Sequence, residues 1–225
     1  MIKLTDKIPV GEGILFDKIR AESTAYAGFS SALFYKSGDA ALSLIDSNLT
    51  VAGDMDAEEL NEFIRFTGAL TLTCPTTLAE KLGVKNEEFL VLKAPAYGKT
   101  VKTVCAEAKE VYTLLKNGED GDIDLPDYES FLLDYSLRVR RGVGFGVVVG
   151  SAVCVAAAVS GKSVIISGVA NEKGARGKGF ALQSVLKMRM HFGDKDCFCF
   201  CREPLLPFYA KCGFKFFGKI SRSKL

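Results

Sequence analysis

The same order of predicted elements occurs twice along the chain, and this repeat restricts the fold more than any other feature of the sequence. Apolar runs broken by glycine and polar turns predict three strands, a helix, a strand, a helix and a strand in each half. The expected strands are 32–36, 40–46, 48–52, 69–74 and 88–93, then 143–149, 152–159, 163–170, 196–201 and 214–220. The pattern predicts an α/β protein (an α+β mixed sheet) built from two related halves.

Charge separates the two halves more sharply than the net value of +2 suggests. Residues 1–125 carry 13 Lys and Arg against 20 Asp and Glu, a net charge of −7, whereas residues 126–225 carry 16 against 7, a net charge of +9. A segment rich in Gly, Asp and Pro, Asn117 to Pro126, reads as a linker. We therefore expect two domains, 1–125 and 126–225, the second of which favours an anionic ligand.

The predicted compartment is the cytoplasm. Seven cysteines, an odd number set mostly in apolar runs, indicate reduced thiols. The N-terminal decapeptide has no apolar core of a signal peptide, and glycines divide the uncharged stretch Val143 to Val159 into strands rather than a membrane span. The final tripeptide, Ser223 to Leu225, matches a peroxisomal address, although so short a match recurs by chance.

A glycine-rich basic loop between a predicted strand and a predicted helix carries the chemistry. Unpaired N–H groups and the helix dipole meet at such a turn, and Lys173, Arg176 and Lys178 add positive charge, so the loop favours a phosphate, although a solvated basic loop remains an alternative. Gly177-Lys178 is followed by Gly179 instead of Ser or Thr, which excludes a Walker A loop, and Leu182 replaces the last glycine of a dinucleotide fingerprint.

The run Arg176-Gly177-Lys178-Gly179-Phe180-Ala181 resembles the R-x-x-G-x-G/A loop of the GNAT acyltransferases (Gcn5-related N-acetyltransferases), which binds the pyrophosphate of acetyl-CoA. The stretch Ile165 to Ala170 is similar to the fourth strand of that family, and Phe208-Tyr209-Ala210-Lys211-Cys212-Gly213-Phe214 to its closing segment. The sequence departs from the family at Arg202, Glu203 and Pro204, where an Asn is common. The resemblance implies a GNAT fold over the last 100 or so residues and N-acetyl transfer from acetyl-CoA to a primary amine.

The resemblance also implies roles for individual residues. Val169 at the strand end would polarise the thioester carbonyl, Tyr209 would act as general acid, and Glu203 or Glu172 would serve as base. The implied cofactor-binding set is Val169, Ala170, Arg176, Gly177, Lys178, Gly179, Phe180, Ala181 and Tyr209. No metal, nucleic acid or membrane partner is expected, the acceptor is a small-molecule or peptide amine, and the protein is a monomer or homodimer.

The first half carries four carboxylates at the equivalent turn, Gly53 to Glu59, which would repel a pyrophosphate, so we interpret it as a degenerate GNAT-like half. A non-catalytic acyl-CoA-binding module is the alternative function. Packing or a helix C-terminal charge explains His191, and strand packing explains Cys197, Cys199 and Cys201 better than zinc does. The run Arg138 to Arg141 reads as a solvated edge, with a contact to the CoA 3′-phosphate left open.

Overall fold

The computed structural model describes residues 1–118 and 125–225, and the predicted linker falls largely outside them: Asn117 and Gly118 end a helix, while 119–124 lie outside the described residues. The chain divides into two compact units. The first comprises Met1–Val91, Cys201–Glu203 and Phe217–Leu225, and the second comprises Leu92–Phe200 and Pro204–Phe216.

The first unit is a mixed sheet covered by three helices. Its elements are β1 (Lys3–Leu4), α1 (Ile14–Ala25), β2 (Ala32–Ser37), β3 (Ala40–Ile45), β4 (Asn48–Ala52), α2 (Ala57–Thr67), β5 (Thr71–Pro75), α3 (Thr76–Leu82) and β6 (Glu87–Ala94), which runs on into the second unit. Strands β1 to β4 pair antiparallel in sequence order, and β5 joins β4 in parallel. Its core includes Leu42, Leu60, Leu72 and Leu78, all fully buried.

The second unit repeats this plan. Its elements are α4 (Ala108–Gly118), α5 (Tyr128–Arg140), β7 (Phe145–Val149), β8 (Ala152–Val159), β9 (Ser163–Asn171), α6 (Phe180–His191), β10 (Asp196–Cys201), α7 (Leu206–Lys211) and the start of β11 (Lys215–Lys224), which runs on into the first unit. Strands β7, β8 and β9 form an antiparallel meander, and β10 joins β9 in parallel after the helix α6. The repeated order of three strands, helix, strand, helix and strand is therefore confirmed.

The last strand pairs far from its neighbours in sequence. Residues Ile220–Lys224 of β11 lie antiparallel to Thr71–Pro75 of β5, so the end of the chain belongs to the first unit. The tripeptide that matches a peroxisomal address is held in this pairing: Ser223 is buried opposite Leu72, and the Leu225 N–H donates to the Leu70 carbonyl over 3.0 Å.

The compact units differ from the predicted division after residue 125. Helix α4 precedes the linker, yet Val111, Leu114 and Leu115 pack in one core with Tyr135 and Val153 of the second unit. Because apolar burial outweighs position along the chain, α4 belongs with the C-terminal unit. The assignment of cofactor binding to residues 126–225 remains a prediction.

The sequence from Val101 to Leu115 predicts a helix-rich passage, and this prediction is wrong for its first residues. The N–H of Val101 donates to the Met190 carbonyl, that of Thr103 to the imidazole of His191, and that of Ala106 to the Gly146 carbonyl. These groups bind other elements instead of their own helix, so α4 begins only at Ala108. The sequence also predicts a helix from Tyr128 to Tyr135, which in the structure continues to Arg140 because no breaker occurs before Gly142.

A buried polar cluster lies between α1 and the first-unit sheet. Glu22 is only 5% exposed and accepts hydrogen bonds from the Lys18 ammonium and the Ser43 hydroxyl, the latter over 2.7 Å. Lys18 also donates to Thr50 Oγ1 over 2.8 Å. Each buried polar group of the cluster therefore has a partner, as burial of a carboxylate requires.

Candidate active site

Strand β9 extends beyond its pairing with β10 at the predicted site. In the described residues, their parallel pairing runs from Ser163 opposite Asp196 to Ile166 opposite Cys199, whereas β9 continues to Asn171. A bulge at Ser167 interrupts the pairing of β9 with β8 at the same level, since Val155 faces Gly168 and Ala156 faces Ile166. Beyond this bulge, β9 remains paired with β8 but no longer with β10, and we call residues 168–171 the diverging part of β9. Val169 and Ala170 lie in this part.

A side-chain amide fixes the loop that follows β9. Asn171 donates from Nδ2 to the Ala175 carbonyl over 3.2 Å and accepts at Oδ1 from the Ser151 hydroxyl over 3.1 Å. The N–H of Glu172 donates to the Ser151 carbonyl over 3.1 Å. An amide offers both a donor and an acceptor, so Asn171 connects the loop to the β7–β8 turn. Sequence reasoning missed Asn171 and Ser151, because their partners lie in a different hairpin.

The helix α6 begins without a side-chain cap. Its N-cap, Gly179, has φ 80° and makes no capping hydrogen bond, and Gly177 has φ 82°. Both values lie in the left-handed region, which glycine adopts without strain. The space next to the Gly177 backbone is open, since a Cβ there would meet no atom within 4 Å. The predicted residues 176–181 therefore come together as an uncapped helix N-terminus, which attracts an anion.

Exposed positive charge surrounds this N-terminus. Lys173, Arg176 and Lys178 are all exposed side chains of the loop. The Arg176 guanidinium donates to the Gly118 carbonyl at the end of α4 over 3.1 Å, so this residue also anchors the loop to α4. The loop thus combines backbone donors, a helix dipole and cations on one short segment.

The equivalent turn of the first unit caps itself. Residues 53–56 connect β4 to α2, half the length of the 172–179 loop, and Asp56 Oδ1 accepts a hydrogen bond from the Glu59 N–H over 2.8 Å. Lys81 lies 2.9 Å from the Asp54 carboxylate and holds the pKa of that group below its ordinary value. At the start of α2, a carboxylate therefore accepts from a backbone N–H, whereas the corresponding N–H groups at the start of α6 have no side-chain cap.

The predicted acid and base lie in different units. Tyr209 is on α7 in the second unit, where it is 7% exposed and packs edge-on against Phe214 with ring centroids 5.6 Å apart. Glu203 is exposed in the first unit. There, the Glu88 hydrogen bond, followed by weaker effects that include the charge of Glu203, raises the pKa of Lys219. Glu172, the other candidate base, accepts a hydrogen bond from Asn117 over 3.2 Å.

His191 packs as a neutral ring. It stacks on Phe145 with centroids 4.0 Å apart, and its Nδ1 accepts a hydrogen bond from the Thr103 N–H over 3.1 Å. Burial, followed by the charge of Lys102, lowers the pKa of His191 from its ordinary value of 6.5. Of the two roles predicted for this residue, the structure favours packing.

This lowered pKa predicts a loss of stability in mild acid. The unfolded imidazole takes up a proton first, so the contribution of His191 is complete above pH 6.5 and is lost as the pH falls from there through the folded-state pKa. His191→Asn keeps an acceptor near the Nδ1 position but cannot titrate. Urea unfolding from pH 7.5 to 5 should show wild type losing its advantage over the variant. A difference that is constant with pH would contradict this role.

The arginine run of α5 lies away from the loop. Arg138 pairs with Asp134 over 2.8 Å, and Arg140 lines a groove of about 460 Å³ with Lys109 in the first turn of α4. Gly118, which holds Arg176, is at the other end of α4, about 14 Å from Lys109 along the helix axis. This separation disfavours a contact between the arginine run and the CoA 3′-phosphate, because that phosphate would lie close to the pyrophosphate.

The cysteines behave as packing residues. All seven are thiols, six of them buried and Cys105 half-buried. Burial raises the pKa of both Cys197 and Cys212 to about 11. Within residues 1–118 and 125–225, no three His, Cys, Asp or Glu side chains are arranged to hold a metal ion. None of the helices in these ranges is long and apolar enough to cross a membrane.

No family model matches the sequence, and no curated protein does either. Solved structures do match. A GCN5-related N-acetyltransferase from Kribbella flavida aligns with a TM-score of 0.61 at 13% identity, over 94% of this chain and 95% of that chain. A second GCN5-related N-acetyltransferase, from Sphaerobacter thermophilus, aligns with a TM-score of 0.56 at 13% identity, over 93% and 85%.

A protein described as a tandem GNAT protein from the clavulanic acid biosynthesis pathway aligns with a TM-score of 0.50 at 11% identity, over 96% of this chain and 90% of that chain. Identities this low establish the fold and not the substrate. The resemblance found in the loop and in the closing segment is thus confirmed at the level of architecture. The chain has the fold of the GCN5-related N-acetyltransferases, with the arrangement of strands and helices repeated in its two halves.

Proposed function

We propose that this protein is an N-acetyltransferase that moves an acetyl group from acetyl-CoA directly to a primary amine of a small molecule or peptide. The observation that carries the proposal is the uncapped N-terminus of α6 behind a basic glycine loop, directly after the diverging end of β9. Backbone donors, helix dipole and cations suit the pyrophosphate of CoA. The fold supports the same activity, since its solved neighbours include GNAT acetyltransferases.

In this proposal, two backbone segments bind the cosubstrate. The N–H groups of Lys178, Gly179, Phe180 and Ala181 bind the pyrophosphate, and the Arg176 side chain holds their loop against α4. The Val169 N–H, in the diverging part of β9, donates to the thioester carbonyl and stabilises the negative charge that develops on its oxygen. The adjacent Ala170 lines the same stretch.

Tyr209 is the proposed general acid. The amine attacks the thioester carbon, the carbon–sulfur bond breaks, and the phenol donates its proton to the departing thiolate. An ordinary phenol has a pKa of about 10 and an ordinary thiol one of about 8.5. The two values are close enough for a phenol to donate its proton to a thiolate as it forms. Glu203 and Glu172 remain alternative bases for the proton of the amine.

The burial of Tyr209 favours one further candidate, a module that binds acyl-CoA without turnover. At 7% exposure, this side chain resembles a packing residue between Phe208 and Phe214. The two functions differ in one measurement, the release of CoA in the presence of an amine library. Turnover in wild type that Tyr209→Phe slows at unchanged cofactor affinity supports the enzyme, whereas binding without turnover supports the module.

Calorimetry with acetyl-CoA tests cofactor binding itself. Arg176→Glu replaces a cation beside the proposed pyrophosphate by an anion and removes the bond to Gly118, so we expect affinity to fall at least about tenfold, or about 1.4 kcal/mol. Lys187→Glu is the control, because it makes the same change of charge at an exposed position of the same helix and should alter affinity by less than about threefold. Absence of binding to the wild-type protein would reject the proposed function.

A further inference from the structure

A buried arginine connects the two helices that the proposed reaction uses. Arg189, in the last turn of α6, is 7% exposed. Its Nη1 donates to the Cys212 carbonyl over 2.6 Å and its Nη2 to the Pro95 carbonyl over 3.2 Å. The guanidinium carbon lies 5.4 Å from the ring centroid of Tyr97 and 5.7 Å from that of Phe214.

The surroundings of Arg189 are energetically unfavourable for a cation. The contacts of Arg189 among the described residues are carbonyls and aromatic rings, and its buried Nε has no hydrogen-bond partner there. Burial of a charge without a carboxylate is unfavourable, and carbonyl and cation–π contacts offset this cost only in part. Such a side chain holds the groups that it bonds, because movement of either carbonyl would leave the buried guanidinium with fewer partners.

The contacts of Arg189 lead to Tyr209. Cys212, whose carbonyl accepts the shorter hydrogen bond, is the C-cap of α7, the helix that carries Tyr209. Phe214 lies under the guanidinium and also packs edge-on against the Tyr209 ring, and its N–H donates to the Tyr209 carbonyl over 3.0 Å. One side chain of α6 thus contacts both the end of α7 and an aromatic ring that packs against Tyr209.

We propose that Arg189 is a positioning residue, which holds the Tyr209 hydroxyl at the place where it donates its proton. The inference rests on the proposed function. Helix α6 begins at the loop assigned to the pyrophosphate and carries Arg189 near its end. Arg189 therefore sets the position of the proton donor relative to the bound cosubstrate, although it contacts neither the thioester nor the amine.

A double-mutant cycle tests this coupling. Arg189→Met should lower the kcat of CoA release at least tenfold, leave the calorimetric Kd for acetyl-CoA within about twofold, and have no further effect in a Tyr209→Phe background. Arg189→Lys retains one donor and should recover part of kcat. Equal loss in both backgrounds, or a parallel rise in Kd, would show a role in general packing and overturn the proposal. If Arg189→Met does not fold, Arg189→Lys takes its place in the same cycle.

A measurement without cosubstrate separates this inference from the proposed function. The protein is labelled with 3-fluorotyrosine, and the fluorine resonance of Tyr209 is assigned by its absence in Tyr209→Phe. Arg189→Met should shift or broaden that resonance, together with that of Tyr97, and leave the resonance of Tyr35 in the first unit unchanged. An unmoved Tyr209 resonance would overturn the coupling even in an active enzyme. Absence of acetyl-CoA binding to wild type would reject the proposed function and leave the fluorine result standing.

Discussion

Replacement of Gly179 by valine should weaken acetyl-CoA binding at least about 100-fold, or about 2.7 kcal/mol, in calorimetric titration. Gly179 is the N-cap of α6 and has φ 80°, a conformation that a β-branched residue adopts only with strain. The loop relieves that strain by rotating the backbone, which turns the N–H groups of the first helical turn away from the ligand. The side chain also occupies space that the phosphates need.

The control for this change lies in the same loop. Gly174, in the turn Lys173–Ala175, has no positive φ, and a Cβ added there would meet no atom within 4 Å, so Gly174→Ala should change the affinity by less than about threefold. Thermal melting of both variants distinguishes local loss of binding from unfolding. Affinity within threefold of wild type for Gly179→Val would mean that the phosphates bind elsewhere.

Glu22→Ala should lower the free energy of unfolding by about 3 kcal/mol. The change leaves the Ser43 hydroxyl, which is fully buried, without its acceptor and removes the counter-charge of Lys18. Removal of one member of a buried polar cluster costs the desolvation of the members left behind. Urea unfolding followed by circular dichroism measures the loss, and hydrogen exchange of peptides from β3 and β4 locates it in the first unit.

Two variants calibrate this second prediction. Glu22→Gln keeps the volume and an acceptor for Ser43, so it should cost less than Glu22→Ala. Asp17→Ala removes the more exposed acid of the same helix, which pairs with Arg20 over 2.7 Å, and should cost no more than about 1 kcal/mol. If Asp17→Ala and Glu22→Ala had equal effects, the buried cluster would add nothing beyond a surface ion pair.

Local patterns in the sequence predicted the parts of the fold that local forces determine. The sequence predicts that a helix ends at Gly68, another ends at Gly83 and a third begins behind Gly179, and all three glycines are helix caps with a left-handed φ in the structure. The order of strands and helices in both halves was predicted from such local patterns. The basic glycine loop at the start of α6 was also predictable, since its glycines and cations are contiguous, and its binding of phosphate stays a prediction.

Features that depend on distant partners were not predictable. Arg189 is a charged side chain of a kind that proteins normally expose, and its burial depends on the distant carbonyls of Pro95 and Cys212 and the rings of Tyr97 and Phe214. Asn171 acquires its role from Ser151 in another hairpin. The segment from Val101 to Ala106 looked helical because its composition cannot show that its N–H groups bind Met190, His191 and Gly146.

The position of the last strand has a consequence for how the protein is made. A ribosome releases the residues of β5 long before those of β11, yet Thr71–Pro75 pairs with Ile220–Lys224. The first unit therefore cannot complete its sheet until Ile220–Lys224 has been synthesised, and until then β5 presents an open edge that can pair with another chain. In a fragment that ends after residue 125, the β5 edge should stay unpaired. A peptide with the sequence of β11 should pair with this edge.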